Sequence, residues 1–144
     1  MRLRTDSIDA DRWERSRRID WLDMENVASS RVMVIGAGAL GNEAIKNLVL
    51  SGVRHVDLVD MDHVVRSNLN RCVFFREEDA SRGALKAEVV ACRAMEMDPG
   101  AEVRPLVGRV EDLPDEVWRS CDIVLGCLDN IAARLHVNSH AYYY

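Results

Sequence analysis

The run Arg31-Val-Met-Val-Ile35 passes straight into Gly36-Ala-Gly38-Ala-Leu-Gly41, and helical periodicity begins within that glycine pattern. No other feature of the chain limits the fold so tightly. A short apolar run that stops at glycine reads as a strand buried on both faces, as in a parallel sheet. Residues 39–51 then place Leu40, Ala44, Ile45, Leu48 and Val49 on one helical face, and Gly52 sits where a helix-ending glycine is expected. Strand, glycine turn and helix together form the first half of a βαβ unit.

The rest of the chain keeps the alternation. His55 to Asp60 reads as a second strand, and residues 61–80 as irregular and polar around a short apolar patch at Val73-Phe74-Phe75. Residues 82–97 are predicted to form a helix with Ser81 as its N-cap. Asp98-Pro99-Gly100 stops it; Glu102 to Val107 is a third strand, 114–119 a short helix opened by Pro114, Cys121 to Cys127 a fourth strand, and 130–140 another helix. The order β-α-β-α-β-α-β-α is that of an α/β doubly wound, Rossmann-like parallel sheet. Right-handed crossovers in the usual order put strand 1 between strands 2 and 4, with a ligand crevice at their carboxyl ends. Residues 1–30 are highly charged, and Trp13, Ile19, Trp21 and Leu22 are spaced for a short helix with one apolar stripe. The predicted organisation is an N-terminal helical arm over residues 1–30 and a nucleotide-binding domain over 31–144.

Composition removes several function classes. The net charge of −5 argues against a general nucleic-acid or anionic-membrane binder. No uncharged run approaches the ~20 residues of a spanning helix, and the charged N-terminus is not a secretory signal. Cys72, Cys92, Cys121 and Cys127 form no C-x-x-C pair and read as reduced thiols of a cytoplasmic protein. Of the 19 basic residues only Lys46 and Lys86 are lysines, so the position of each is informative.

In the glycine pattern, Gly36 makes the tight turn, Gly38 lets a phosphate approach the backbone, and Gly41 lets helix and strand pack closely. Unpaired N–H groups and the helix dipole then favour an anion. Asp60 follows Gly41 by 19 residues, at the end of strand 2, where a ribose-binding carboxylate is expected. A dinucleotide would need no more than this. The sequence adds Ser67-Asn68-Leu-Asn70-Arg71 after strand 2, Lys86 early in the next helix, and Leu128-Asp129-Asn130 after strand 4. Arg71 and Lys86 could neutralise phosphates and Asp129 could hold magnesium, a set that suits a nucleoside triphosphate. Each also has an ordinary structural use: Arg71 in a surface ion pair, Lys86 on a solvated helix face, Asp129 as the cap of the last helix.

The blocks GAGALG, VDLVDMDHVVRSNLNR, GALKAE and IVLGCLDNIAAR resemble, in order and spacing, the adenylation domain of ubiquitin-activating-type enzymes, the MoeB/ThiF/HesA family. The resemblance runs from about Trp13 to the end of the chain. It implies adenylation, with ATP and Mg²⁺, of the C-terminal carboxylate of a ubiquitin-like or sulfur-carrier protein, in a homodimer or heterodimer. By motif position it implies that Gly36, Gly38, Gly41, Asp60, Asp62, Asn68, Arg71 and Lys86 bind the nucleotide. Arg71, Lys86 and Asp129 would be the catalytic set, with Asp129 as the magnesium carboxylate. Arg17, in Arg15-Ser-Arg17-Arg18-Ile19, would be an arginine finger reaching the ATP of the other subunit.

The match has departures. Cys72 stands where the family usually has Gln, and is expected to be a small semi-buried residue, not a nucleophile. The family's zinc-binding C-x-x-C pairs and catalytic cysteine lie beyond the segment present, so zinc would come only through residues outside this chain. The chain is expected to be the N-terminal part of the domain, which leaves strand 4 as an exposed edge. His136 and His140, at i and i+4, lack an evident third metal ligand and read as surface helix. Three alternatives stay open: an NAD(P)-binding Rossmann oxidoreductase, a non-catalytic subunit of a heterodimeric activating enzyme, and adenylation of a carboxylate on a modified tRNA.

Overall fold

The computed structural model describes residues 11–144. The four apolar runs form four parallel strands, β1 (Arg31–Ile35), β2 (His55–Asp60), β3 (Glu102–Val107) and β4 (Ile123–Gly126), in the order β3-β2-β1-β4. Strand 1 therefore lies between strands 2 and 4, as expected from the connectivity.

Alternation along β1 sorts the core into two layers. Val32 and Val34 point to the face covered by α2 (Ala39–Ser51) and α4 (Lys86–Met97), where they meet Ile45, Val49, Val90 and Ala94. Met33 and Ile35 point to the opposite face and pack with Val59, Trp118 of α5 (Asp115–Arg119) and Val137 of α6 (Ile131–Tyr143). Burial on both faces is why β1 reads as a continuous apolar run. The chain winds from β1 through β2 to β3, then returns across the sheet to β4. That reversal opens a crevice at the carboxyl ends of β1 and β4. Ile123 of β4 is half exposed, as befits an edge strand.

Two local expectations fail. The helix predicted over 82–97 starts later, as α4, the end of the segment read as irregular forms a separate helix, α3 (Glu77–Arg82), and Ser81 does not cap α4. Ser81 lies inside α3 and its hydroxyl donates to Glu77 O at 2.8 Å. Gly83 ends α3 in the left-handed region at φ 62°, and the chain re-enters helix only after Leu85, which bridges to His63. The break makes Lys86 the first residue of α4 and turns its N–H toward Asp62 O, 2.9 Å away.

The N-terminal segment also departs from a single amphipathic helix. Residues 1–10 of the predicted arm lie outside the described residues. The remainder holds a 3-10 turn at Ser16–Arg18 and α1 (Met24–Ser29), whose cap is Asp23 accepting from the Glu25 and Asn26 N–H groups. Trp13 docks on the end of α2, its indole N–H donating to Leu50 O at 3.1 Å and its ring lying against Gly52. Trp21 points outward, 83% exposed, so no continuous stripe forms. No helix among the described residues is long and apolar enough to cross a membrane.

Candidate functional site

A cleft of about 330 Å³ opens at the crevice between β1 and β4. Gly36, Gly38, Asp60, Asp62, Asn68, Arg71, Lys86 and Asp129 all line it, with Ala39, Leu40, Cys127, Leu128 and Arg134. Of the residues singled out in the sequence, Gly41 and Arg17 do not. A second cleft of about 270 Å³ shares Gly36, Asp60, Asp62, Leu128 and Asp129 and continues toward Gly108–Glu111.

The three glycines have separate physical reasons. Gly36 has φ 103°, and a Cβ there would come within 2.7 Å of Cys127 O. Gly41 is a packing residue, since its Cβ would lie 1.8 Å from Gly36 O. Gly38 has an ordinary extended backbone, and among the described residues nothing lies within 4 Å of its missing Cβ. It also makes no side-chain cap for α2, so the first N–H groups of that helix take no partner from their N-cap residue. Gly38→Ala is therefore expected to leave stability within about 0.5 kcal/mol of the parent. If a phosphate approaches the backbone there, as the sequence reading expects, the added methyl would weaken nucleotide binding about tenfold. Thermal unfolding and calorimetric titration measure the two effects separately.

Asp60 holds the cleft floor together. One carboxylate oxygen accepts the Ala37 N–H at 2.7 Å and the other the Asp62 N–H at 2.8 Å. Each oxygen keeps a further lone pair for a ligand hydroxyl. Lys86 Nζ lies 2.9 Å from Asp62 Oδ2, with the lysine side chain 12% exposed and the aspartate 58%. The ion pair holds the ammonium at the cleft wall. Asn68 is buried, and its amide oxygen accepts the Val65 N–H at 3.1 Å. Arg71 is held by Ser67 O and by Asn70 Oδ1.

Asp129 does not cap α6. Asn130 does, accepting from the Ala132 and Ala133 N–H groups at 2.8 and 3.3 Å. No hydrogen bond or ion pair among the described residues engages the Asp129 carboxylate. Arg71, Lys86 and Arg134 thus face Asp60, Asp62 and Asp129 across one cleft, a balance suited to an anion that arrives with a divalent cation.

Arg17 pairs with Asp11 of its own chain, away from this cleft. The side chain of Cys72 is buried, and burial pushes its thiol up despite the nearby charges of Arg71 and Lys86, so it is a packed, unreactive group. Cys127 lines the cleft with its thiol likewise raised by burial. His136 and His140 stack on each other at 3.9 Å between ring centroids, beside Trp118.

Two participants escaped the sequence reading. Arg134, on the first turn of α6, lines the cleft and donates to Leu128 O at 2.5 Å. Its signal was its place just after Asp129, at the start of a helix that opens on the crevice. Asn42 is fully buried beneath the glycine loop. Its signal was a polar residue on the same helical stripe as Ile45 and Val49.

The model of the ThiF family matches residues 12–144. The NEDD8-activating enzyme E1 catalytic subunit of Arabidopsis thaliana is 45% identical over 111 residues, which cover 77% of this chain and 24% of that protein. The Caenorhabditis elegans protein of the same name is 37% identical, over 92% of this chain and 34% of its own length. The SUMO-activating enzyme subunit 2 of Dictyostelium discoideum is 34% identical, over 79% and 17%. The chain thus spans about a third or less of the length of these relatives. Among solved structures, TcdA (CsdL) superposes with a TM-score of 0.77 at 23% identity, over 83% of this chain and 49% of that one, a likeness of fold. With its four motif blocks on a doubly wound sheet and a family match across nearly all of its length, the chain belongs to the ThiF family.

Proposed function

We propose that this chain carries the ATP-binding part of a MoeB/ThiF-type adenylyltransferase. In this reading, residues 31–144 are the N-terminal part of an adenylation domain and residues 1–30 an arm. The enzyme activates the C-terminal carboxylate of a ubiquitin-like or sulfur-carrier protein. The observation that carries the reading is the convergence on one cleft of side chains from five separate places in the chain: the glycine turn, the end of β2, the 66–71 segment, the start of α4 and the turn after β4.

The chemistry fits that convergence. A carboxylate oxygen of the carrier attacks the α-phosphorus of ATP; the bond from that phosphorus to the bridging oxygen breaks, and pyrophosphate leaves with the bond's electron pair. An anion must approach an anion, so catalysis rests on alignment and charge neutralisation, with no protein nucleophile. Asp60 would accept from the ribose, the open N–H groups of the glycine turn would meet phosphate, and Asn68, Arg71 and Lys86 would hold the triphosphate. Asp129 fits a magnesium ligand, because its carboxylate is unengaged and magnesium takes one or two carboxylates plus phosphate oxygens. Bound there, the ion would offset charge on the departing pyrophosphate. Arg17, lying outside its own cleft, would act on the site of a second subunit.

Calorimetric titration of the protein with ATP·Mg and, separately, with NAD(H) tests the reading. Binding of ATP·Mg with no comparable NAD(H) response is expected. Tight NAD(H) binding with no ATP response would replace the proposal by an oxidoreductase, which has no use for Arg71, Lys86 or Asp129.

A further inference from the structure

Asn42 lies on the core-facing stripe of α2, where an apolar side chain would be the ordinary choice. It is completely buried. Its Nδ2 donates to Ala37 O at 2.8 Å and to Gly38 O at 3.0 Å, and its Oδ1 accepts the Phe74 N–H at 3.0 Å. The first two partners belong to the glycine turn. The third belongs to the segment that follows Arg71. A buried amide with three good partners fixes geometry strongly, because losing any of them strands a polar group in the core.

The other side of that segment is also clamped. Arg93 of α4 donates to Phe74 O and, at 2.5 Å, to the buried Asp79 carboxylate. Asp79 in turn accepts the Arg76 N–H at 2.8 Å. Both polar groups of the Phe74 backbone are therefore held by side chains from two different helices. Arg71 is tied to the same turn through its N–H, which donates to Asn68 O, as does the Cys72 N–H.

We infer that Asn42 is a positioning residue that sets the spacing between the glycine turn and the Arg71 segment, the two walls of the cleft that would grip the phosphates. It touches no ligand and acts through the backbone on each side. The inference rests on the ATP reading for its functional consequence, but not for the coupling of the two walls.

A double-mutant cycle separates positioning from general stability. Asn42→Ala is expected to weaken ATP·Mg binding about tenfold while leaving binding of adenosine, which lacks phosphate, within about twofold. In an Arg71→Ala background the same change is expected to cost less than about threefold, because the wall it positions no longer carries the charge. Asn42→Ser, which keeps one hydroxyl partner, is expected to fall between the two and serves if the alanine variant does not fold. Equal losses for ATP·Mg and adenosine, or full additivity with Arg71→Ala, would overturn the inference. Amide hydrogen exchange judges the coupling with no nucleotide present. Asn42→Ser is expected to raise exchange at Phe74 and in the glycine turn together, with β2 and β3 unchanged. A rise confined to one wall overturns the coupling, whereas absence of ATP binding by the parent protein would overturn only the adenylation reading.

Discussion

Lys86→Ala and Asp129→Ala are each expected to reduce ATP–pyrophosphate exchange by about 100-fold to 1000-fold in the full polypeptide, the usual cost of removing one preorganised charge from a transition state. Exchange reports the adenylation step itself, because labelled pyrophosphate enters ATP only by reversal of that step. The structure argues that neither variant unfolds. The lysine ammonium pairs with an Asp62 that is itself more than half exposed, so water can replace it cheaply. The Asp129 carboxylate has no partner among the described residues, and Asn130 keeps the helix cap. Loss of exchange with an unchanged melting temperature is the expected pair of results. Parent-like exchange in both variants would remove these residues from the proposed site.

The fold was legible because its central strand, β1, is buried on both faces and the others are short apolar-containing runs set between polar segments. Val32 to Ile35 is apolar at every position, and β2 carries Val56, Leu58 and Val59 between polar residues, which separates them from the polar segments between. The glycine turn was legible because Gly36 and Gly41 are required by close backbone approach. The placement of Asp60, Lys86 and Asp129 at one edge followed from topology, since Asp60 ends β2, Lys86 opens α4 and Asp129 follows β4, while Arg71 was placed there only by lying in the connection that leaves β2. What was not legible depended on tertiary partners. Ser81 has the chemistry of an N-cap, but the left-handed turn at Gly83 and the Leu85–His63 bridge move the helix start to Lys86. The arm residues alternate like a helix, yet Trp13 finds a partner in Leu50 O and Trp21 finds none among the described residues, so the segment follows its docking site rather than its own periodicity. Asn42 was passed over because its partners, Ala37, Gly38 and Phe74, meet only after the chain has folded.

The same dependence on folding makes Asp79 a sensitive position for stability. Its side chain is wholly buried and accepts from Arg93 Nη1 at 2.5 Å, Arg82 Nη2 at 3.0 Å and the Arg76 N–H at 2.8 Å. Burial pushes this carboxyl up, but the hydrogen bonds and charge of Arg93, with those from Arg76 and Arg82, outweigh it and hold the group below the usual aspartate value of 3.8. Asp79→Asn keeps the shape and one acceptor but takes from the Arg93 guanidinium, itself largely buried, its buried counter-charge, leaving only the exposed Glu78 carboxylate at 3.4 Å. The expected cost is about 3 kcal/mol, the low end of the range for breaking a buried pair from one side. The sign of the pH effect follows from the lowered value. A carboxylate whose folded pKa lies below its unfolded one contributes stability that is fully present above the unfolded pKa and is lost as pH falls through the folded one. The parent should therefore lose stability steeply below about pH 4. The asparagine variant should begin less stable and lack that part of the acid limb. Urea unfolding between pH 3 and 7 measures both, and coincident curves for parent and variant would show that the carboxylate contributes nothing to holding α3, the Phe74 segment and α4 together.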